Sequence, residues 1–236
     1  MKNKLSRLAL AALLCGLSAA SQAATMTLKT WTYGNGNGVS ASAPAYGGRA
    51  GGFSGTLSGA GAPFDGDIDT YCVELAQTFQ WNTAYDNYNL VSALGYFGAA
   101  KAGTLGKLMS YANPLIDVAA SGKDDLSTSL QLAIWNTVYD TDDTLASGNF
   151  KDMSGFAAQA TAFLSGAKNA ANELELWVLQ SKTDEPAGTR GRQDQLIWIE
   201  RIPGQEIPEP ASLALVAAAL GGLGISSSRR RKPRSG

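Results

Sequence analysis

The 236-residue chain contains no histidine. That absence excludes Ser-His-Asp and Cys-His catalysis, and with them histidine-ligated metal centres. Cysteine is nearly absent too, with only Cys15 and Cys72 in the whole chain. Cys15 lies in a segment expected to be removed, so Cys72 is left alone and no internal disulfide is possible. A solitary cysteine in an oxidising compartment calls for a chemical reason. Nor does any apolar run reach the roughly 20 residues of a comfortable membrane span.

Both ends carry sorting information. Residues 1–23 begin with Lys2, Lys4 and Arg7, continue through an apolar run at 8–17 and close on Ser21, Gln22 and Ala23. This is the layout of a signal peptide, with cleavage expected after Ala23. The far end, residues 206–236, reads Pro208-Glu209-Pro210, then an apolar stretch over 211–225, then Arg229-Arg230-Arg231-Lys232. A membrane helix over about 211–228 is expected, with the basic block held in the cytoplasm and the preceding domain outside. In that order and place, the three parts resemble the PEP-CTERM sorting signal. The resemblance implies export across the inner membrane of a Gram-negative bacterium. It further implies transient anchoring, then cutting near Pro208–Pro210 by an exosortase after signal peptidase has acted. The destination would be the cell surface or an exopolysaccharide-containing matrix.

Removing the ends changes the charge. The chain has 19 basic and 20 acidic residues; the signal holds three of the basic ones and the stretch from Arg229 onward five, whereas Glu209 is the only acidic residue outside 24–207. The mature part therefore stands at about −8, which is unsuited to binding nucleic acid. With five tryptophans among its residues, the 24–205 segment can bury a proper core.

Strand-like alternation occupies 25–33, 53–57, 68–79, 174–180 and 195–202. Helical patterning occupies 90–102, 105–112, 126–139 and 156–174, with a break expected at Pro114. The glycines of 34–38 do not link a strand to a helix, so they read as a hairpin turn rather than a nucleotide loop. Strands enclosing helices predict an α+β fold, a β-sandwich-like sheet region with a helical insertion.

Two segments stand out, Tyr71-Cys72-Val73-Glu74-Leu75 on a strand and Leu130-Gln131-Leu132-Ala133-Ile134-Trp135 on a helix. Together they resemble the thioester domains of bacterial surface adhesins. The resemblance implies that the Cys72 sulfur condenses with the Gln131 carboxamide, expelling ammonia. Such a bond needs no histidine to react with an amine or hydroxyl on a partner surface, but it needs shelter from water. Tyr71 and Trp135 are the expected shields, and Glu74 a supporting acid or base. Placing Leu130 before Gln131 departs from the commoner Thr-Gln-x-Ala form. The module would turn over once and so would not be an enzyme, and it would need no cofactor. The competing reading is a noncovalent matrix protein associated with exopolysaccharide. Asp65, Asp67 and Asp69 alternate in a way that suits the start of a calcium loop, but no glutamate follows at the spacing an EF-hand needs, and a solvated turn is expected instead.

Overall fold

The computed structural model describes residues 23–140, 142–181 and 193–201. The chain divides into a unit that ends at Glu200 and another that begins at Arg201. Residues 1–22 and 182–192, Pro208, Glu209, Pro210, the expected helix at 211–228 and Arg229 to Lys232 lie outside the described residues. Among the described residues no helix is long and apolar enough to cross a membrane.

Strand β1, Ala24–Trp31, buries Ala24, Met26 and Leu28 and turns the threonines between them outward, the period-two pattern of a half-buried strand. After a small hairpin of β2 (Asn37–Ala41) and β3 (Tyr46–Ala50), β4 (Phe53–Ser58) returns antiparallel to β1. Gly55 permits this approach, because a Cβ there would lie 2.2 Å from the Thr27 carbonyl oxygen. The remaining strands are β5 (Gly66–Cys72), β6 (Tyr85–Ser92), β7 (Leu174–Ser181) and β8 (Gln195–Glu200).

Six strands close in the order β1-β4-β5-β8-β7-β6, while β2 and β3 form a separate sheet. The α+β class and the helical insertion hold, but the expected sandwich is replaced by a barrel. The cause is the pairing of Ala24 with Tyr88 and Met26 with Tyr85, which joins the outer strands and removes free sheet edges. That contact joins residues far apart in sequence, so local alternation carries no sign of it.

Between β6 and β7 lie α1 (Ala93–Phe97), α2 (Ala99–Val118), α3 (Lys123–Tyr139) and α4 (Ala157–Ala167). The expected break at Pro114 does not occur; the residue sits inside α2. Ala112 and Ile116 on either side are fully buried, and their packing outweighs the hydrogen bond that a proline forfeits. Helix α3 is buried from Ser127 through Thr137, so it runs through the core rather than along a surface. Asp124 and Asp125 in its first turn suit the positive end of the helix dipole.

Packing of the helical layer on the barrel predicts a contrast between two leucines. Leu108 is fully buried and Leu94 is 61% exposed. Leu108→Ala should lower the unfolding free energy by about 2–5 kcal/mol, and Leu94→Ala by less than about 0.5 kcal/mol. Urea titration of the two variants reads the difference directly.

Candidate functional site

Strand β4 pairs with β5 only as far as Thr70, which lies opposite Phe53. Beyond that point β4 has no residue to offer the backbone of Cys72. Helix α3 supplies the missing partner: the Cys72 N–H donates to Gln131 Oε1 at 2.9 Å, and Gln131 Nε2 donates to the Cys72 carbonyl at 2.7 Å. One carboxamide thus continues the ladder where the strand has run out. The same helix face extends the pattern, since Ser127 Oγ accepts from the Gly52 N–H at 2.8 Å and Thr128 Oγ1 donates to the Ala50 carbonyl at 3.0 Å. Positions 127, 128 and 131 share a face because they are three and four residues apart.

Gln131 is therefore brought to Cys72 as the sequence suggested, but to its backbone. Both polar ends of its amide are occupied there, in the plane of the ladder, whereas a strand side chain stands roughly perpendicular to that plane.

The sulfur meets two other amides. Cys72 pairs directly with Gln195 across β5 and β8, and Gln195 Nε2 lies 3.5 Å from Cys72 Sγ. The Gln195 carbonyl oxygen lies 3.2 Å from Thr70 Oγ1, a hydroxyl that also donates to the Leu196 carbonyl at 2.8 Å. Cys72 Sγ donates to Gln193 Oε1 at 2.8 Å, and Gln193 Nε2 donates to the Glu74 carbonyl at 2.8 Å. Gln131, Gln193 and Gln195 are all buried. Neither Gln193 nor Gln195 figures in the sequence-derived site. The signal that could have found Gln195 is a polar residue on the same face as Ile197 in the otherwise apolar run Gln195-Leu196-Ile197-Trp198-Ile199.

The remaining expected residues divide. Trp135 is 1% exposed and lines a pocket of about 280 Å³ that reaches Cys72, together with Trp31, Tyr46, Arg49, Phe79 and Trp81. Tyr71 does not line it; its hydroxyl is 3.3 Å from Ser127 Oγ and its ring stacks on Trp198. It braces β5 against α3 from the opposite strand face. Glu74 lies past the end of β5, where its Oε2 accepts from the Ala76 and Gln77 N–H groups and fixes the turn. Its other oxygen is buried with no hydrogen-bond partner.

Burial controls the ionisation of the site. It pushes the Cys72 thiol far above its ordinary range, against the pull of the Gln195 N–H and with a smaller push from Glu74. Burial likewise raises Glu74 and Asp194, opposed at Glu74 by its backbone donors and at Asp194 by Tyr96 and Ser181. Burial therefore favours the neutral thiol over the thiolate at this position. Elsewhere, Asp65 accepts from the Ala60 and Gly61 N–H groups and Asp69 from Thr32 and Ser54. Among the described residues no cluster of three or more metal-ligating side chains is gathered.

No protein-family model matches the chain, and no curated protein or solved structure matches it.

Two variants separate the amides. Gln131→Ala strands two buried backbone groups and should cost about 1–3 kcal/mol in chemical unfolding. In Gln195→Ala the buried neutral thiol should resist iodoacetamide at about pH 8 until denaturant is added. Rapid labelling of the native variant would contradict the raised ionisation.

Proposed function

We propose that the chain is an exported surface or matrix module whose internal thioester joins Cys72 to Gln195 and couples it covalently to a nucleophile on a partner surface. The observation that supports this most is the direct strand pairing of Cys72 with Gln195, with sulfur and amide nitrogen 3.5 Å apart in a water-poor core. Gln131, the partner first suggested by sequence, acts in this reading as the clamp that holds the Cys72 backbone.

The steps balance. As the Cys72 S–H adds to the Gln195 carboxamide carbon, the side-chain oxygen gains charge 3.2 Å from the Thr70 hydroxyl, whose one proton turns to it from the Leu196 carbonyl. Collapse expels ammonia, which leaves with the thiol proton. The Cys72–Gln193 hydrogen bond fixes the direction of the S–H before attack. A later amine or alcohol adds to the acyl carbon, forms an amide or ester with Gln195 and returns the proton to Cys72. Each molecule reacts once, so this is not turnover catalysis. Signal peptidase and an exosortase would process the ends, placing the module outside the cell.

Intact mass of the mature protein should be lighter than its sequence by one ammonia, and the deficit should vanish in Cys72→Ala and Gln195→Ala. Methylamine should add its whole mass, giving a product heavier than the sequence by one methylene, and leave its label on Gln195 in peptide mapping. A label on Gln131 would return the acyl role to the helix. The full sequence mass with a titratable thiol would leave the noncovalent matrix reading.

A further inference from the structure

One wall of the pocket that reaches Cys72 is formed by Gln77, Thr78, Phe79 and Trp81, on the segment that leaves β5. Leu75 in that segment donates its N–H to the Tyr139 hydroxyl at 3.0 Å. Ala76 and Gln77 donate theirs to Glu74 Oε2 at 2.7 and 3.1 Å, and Gln80 donates to the Tyr85 hydroxyl at 3.1 Å. These four N–H groups are met by side chains, where a strand would be met by a neighbour's backbone. Glu74 accepts two of the four bonds, so the base of the wall depends on a single carboxyl group.

That carboxyl is only half satisfied. Its Oε1 is buried with no hydrogen-bond partner, and the one ion pair among the described residues, Lys168 with Asp143, does not involve it. The titratable groups that feel its charge are Cys72 on β5, Tyr88 on β6, Tyr96 on α1, Tyr139 on α3 and Asp194 just ahead of β8. None of them supplies a positive charge, and Lys101 of α2 spends its ammonium on the Val138 carbonyl at 2.6 Å. A neutral acid with one unpaired oxygen costs far less in such a place than a bare charge. Burial accordingly raises Glu74 above its ordinary range, against the pull of the Ala76 and Gln77 N–H groups and with a smaller push from Asp194. The phenols and the thiol are raised too and stay neutral. Asp194 is raised by burial as well, but both its oxygens are bonded, to the Ser181 N–H and the Tyr96 hydroxyl.

We propose that Glu74 is a proton-held latch: as the neutral acid it closes the turn at 74–77 and seats the wall at 77–81 over Cys72, and on losing its proton to solvent it turns to water and swings that wall outward. The latch governs access to Cys72 whichever amide, or none, the sulfur has joined. Its sign follows from the raised value in the closed form. Glu74 supports closure fully below its ordinary value of about 4.5, and that support is lost as the pH rises through the raised, closed-state value. Access is therefore least in acid and grows towards alkaline pH, where more of any amine nucleophile is unprotonated.

Hydrogen–deuterium exchange of the whole mature protein reads the latch without needing a free thiol. Peptides covering 75–82 and the core helix α3 are compared from pH 5 to pH 8, with exchange corrected for its intrinsic pH dependence. Protection at 75–82 should fall about tenfold over that range, while α3 stays constant. Glu74→Gln keeps an oxygen for the two N–H groups but cannot ionise, and should hold the acid-level protection throughout. Asp194→Asn should keep the fall, with its midpoint at lower pH. Wild-type protection at 75–82 that does not change relative to α3 would overturn the latch, even if the variants failed to fold. A fall that survives in Glu74→Gln, or one abolished by Asp194→Asn alone, would overturn it as well. The one-ammonia mass deficit is measured separately, so failure of the latch and failure of the thioester reading are distinguishable.

Discussion

The structure turns on two hydrogen bonds between one side chain and one backbone unit, Gln131 and Cys72. Strand β5 has lost its β4 neighbour at that point, so without Gln131 a buried N–H and a buried carbonyl would lack partners. Such orphaned groups are costly enough that the strand end and the core helix must take up positions together. Once they do, Cys72 is fixed against β8 with its side chain on the Gln195 side. Tyr71, on the other strand face, closes the same joint from below through Ser127 and Trp198.

Around the sulfur the protein uses amides and hydroxyls instead of charges. Gln193 and Gln195 contact the sulfur and Thr70 contacts Gln195, and burial favours the protonated thiol. An acyl–sulfur bond in such a place is protected in two ways. Cys72 and Gln195 are both buried, and among the described residues no ionised base touches either side chain to activate the water that does arrive. The absence of histidine from the sequence fits this chemistry, since a neighbouring imidazole would promote hydrolysis. Glu74 is close enough to influence Cys72 electrostatically, but its hydrogen bonds hold a turn.

Sequence showed part of this. The lone Cys72 on a strand, the helix bearing Gln131 and Trp135 and the helical insertion were legible because each rests on local periodicity or on a count of residues. Which atoms of Cys72 the Gln131 amide meets was not: a glutamine on a helix carries no mark of whether it meets a side chain or a strand backbone. The placement of Gln195 beside Cys72 was hidden because it depends on pairing with a residue on a distant strand. Barrel closure through β1 and β6 was invisible for the same reason, and Pro114 misled because tertiary packing overrode its helix-breaking tendency.

The central claim is that Cys72 and Gln195 share an acyl bond while Gln131 keeps its amide. An atomic-resolution crystal structure of the mature protein tests it most directly. The account predicts continuous electron density from Cys72 Sγ to the Gln195 side-chain carbon, with the Gln131 carboxamide intact across the Cys72 backbone. Density joining the sulfur to Gln131, or a free thiol among three intact amides, would contradict it.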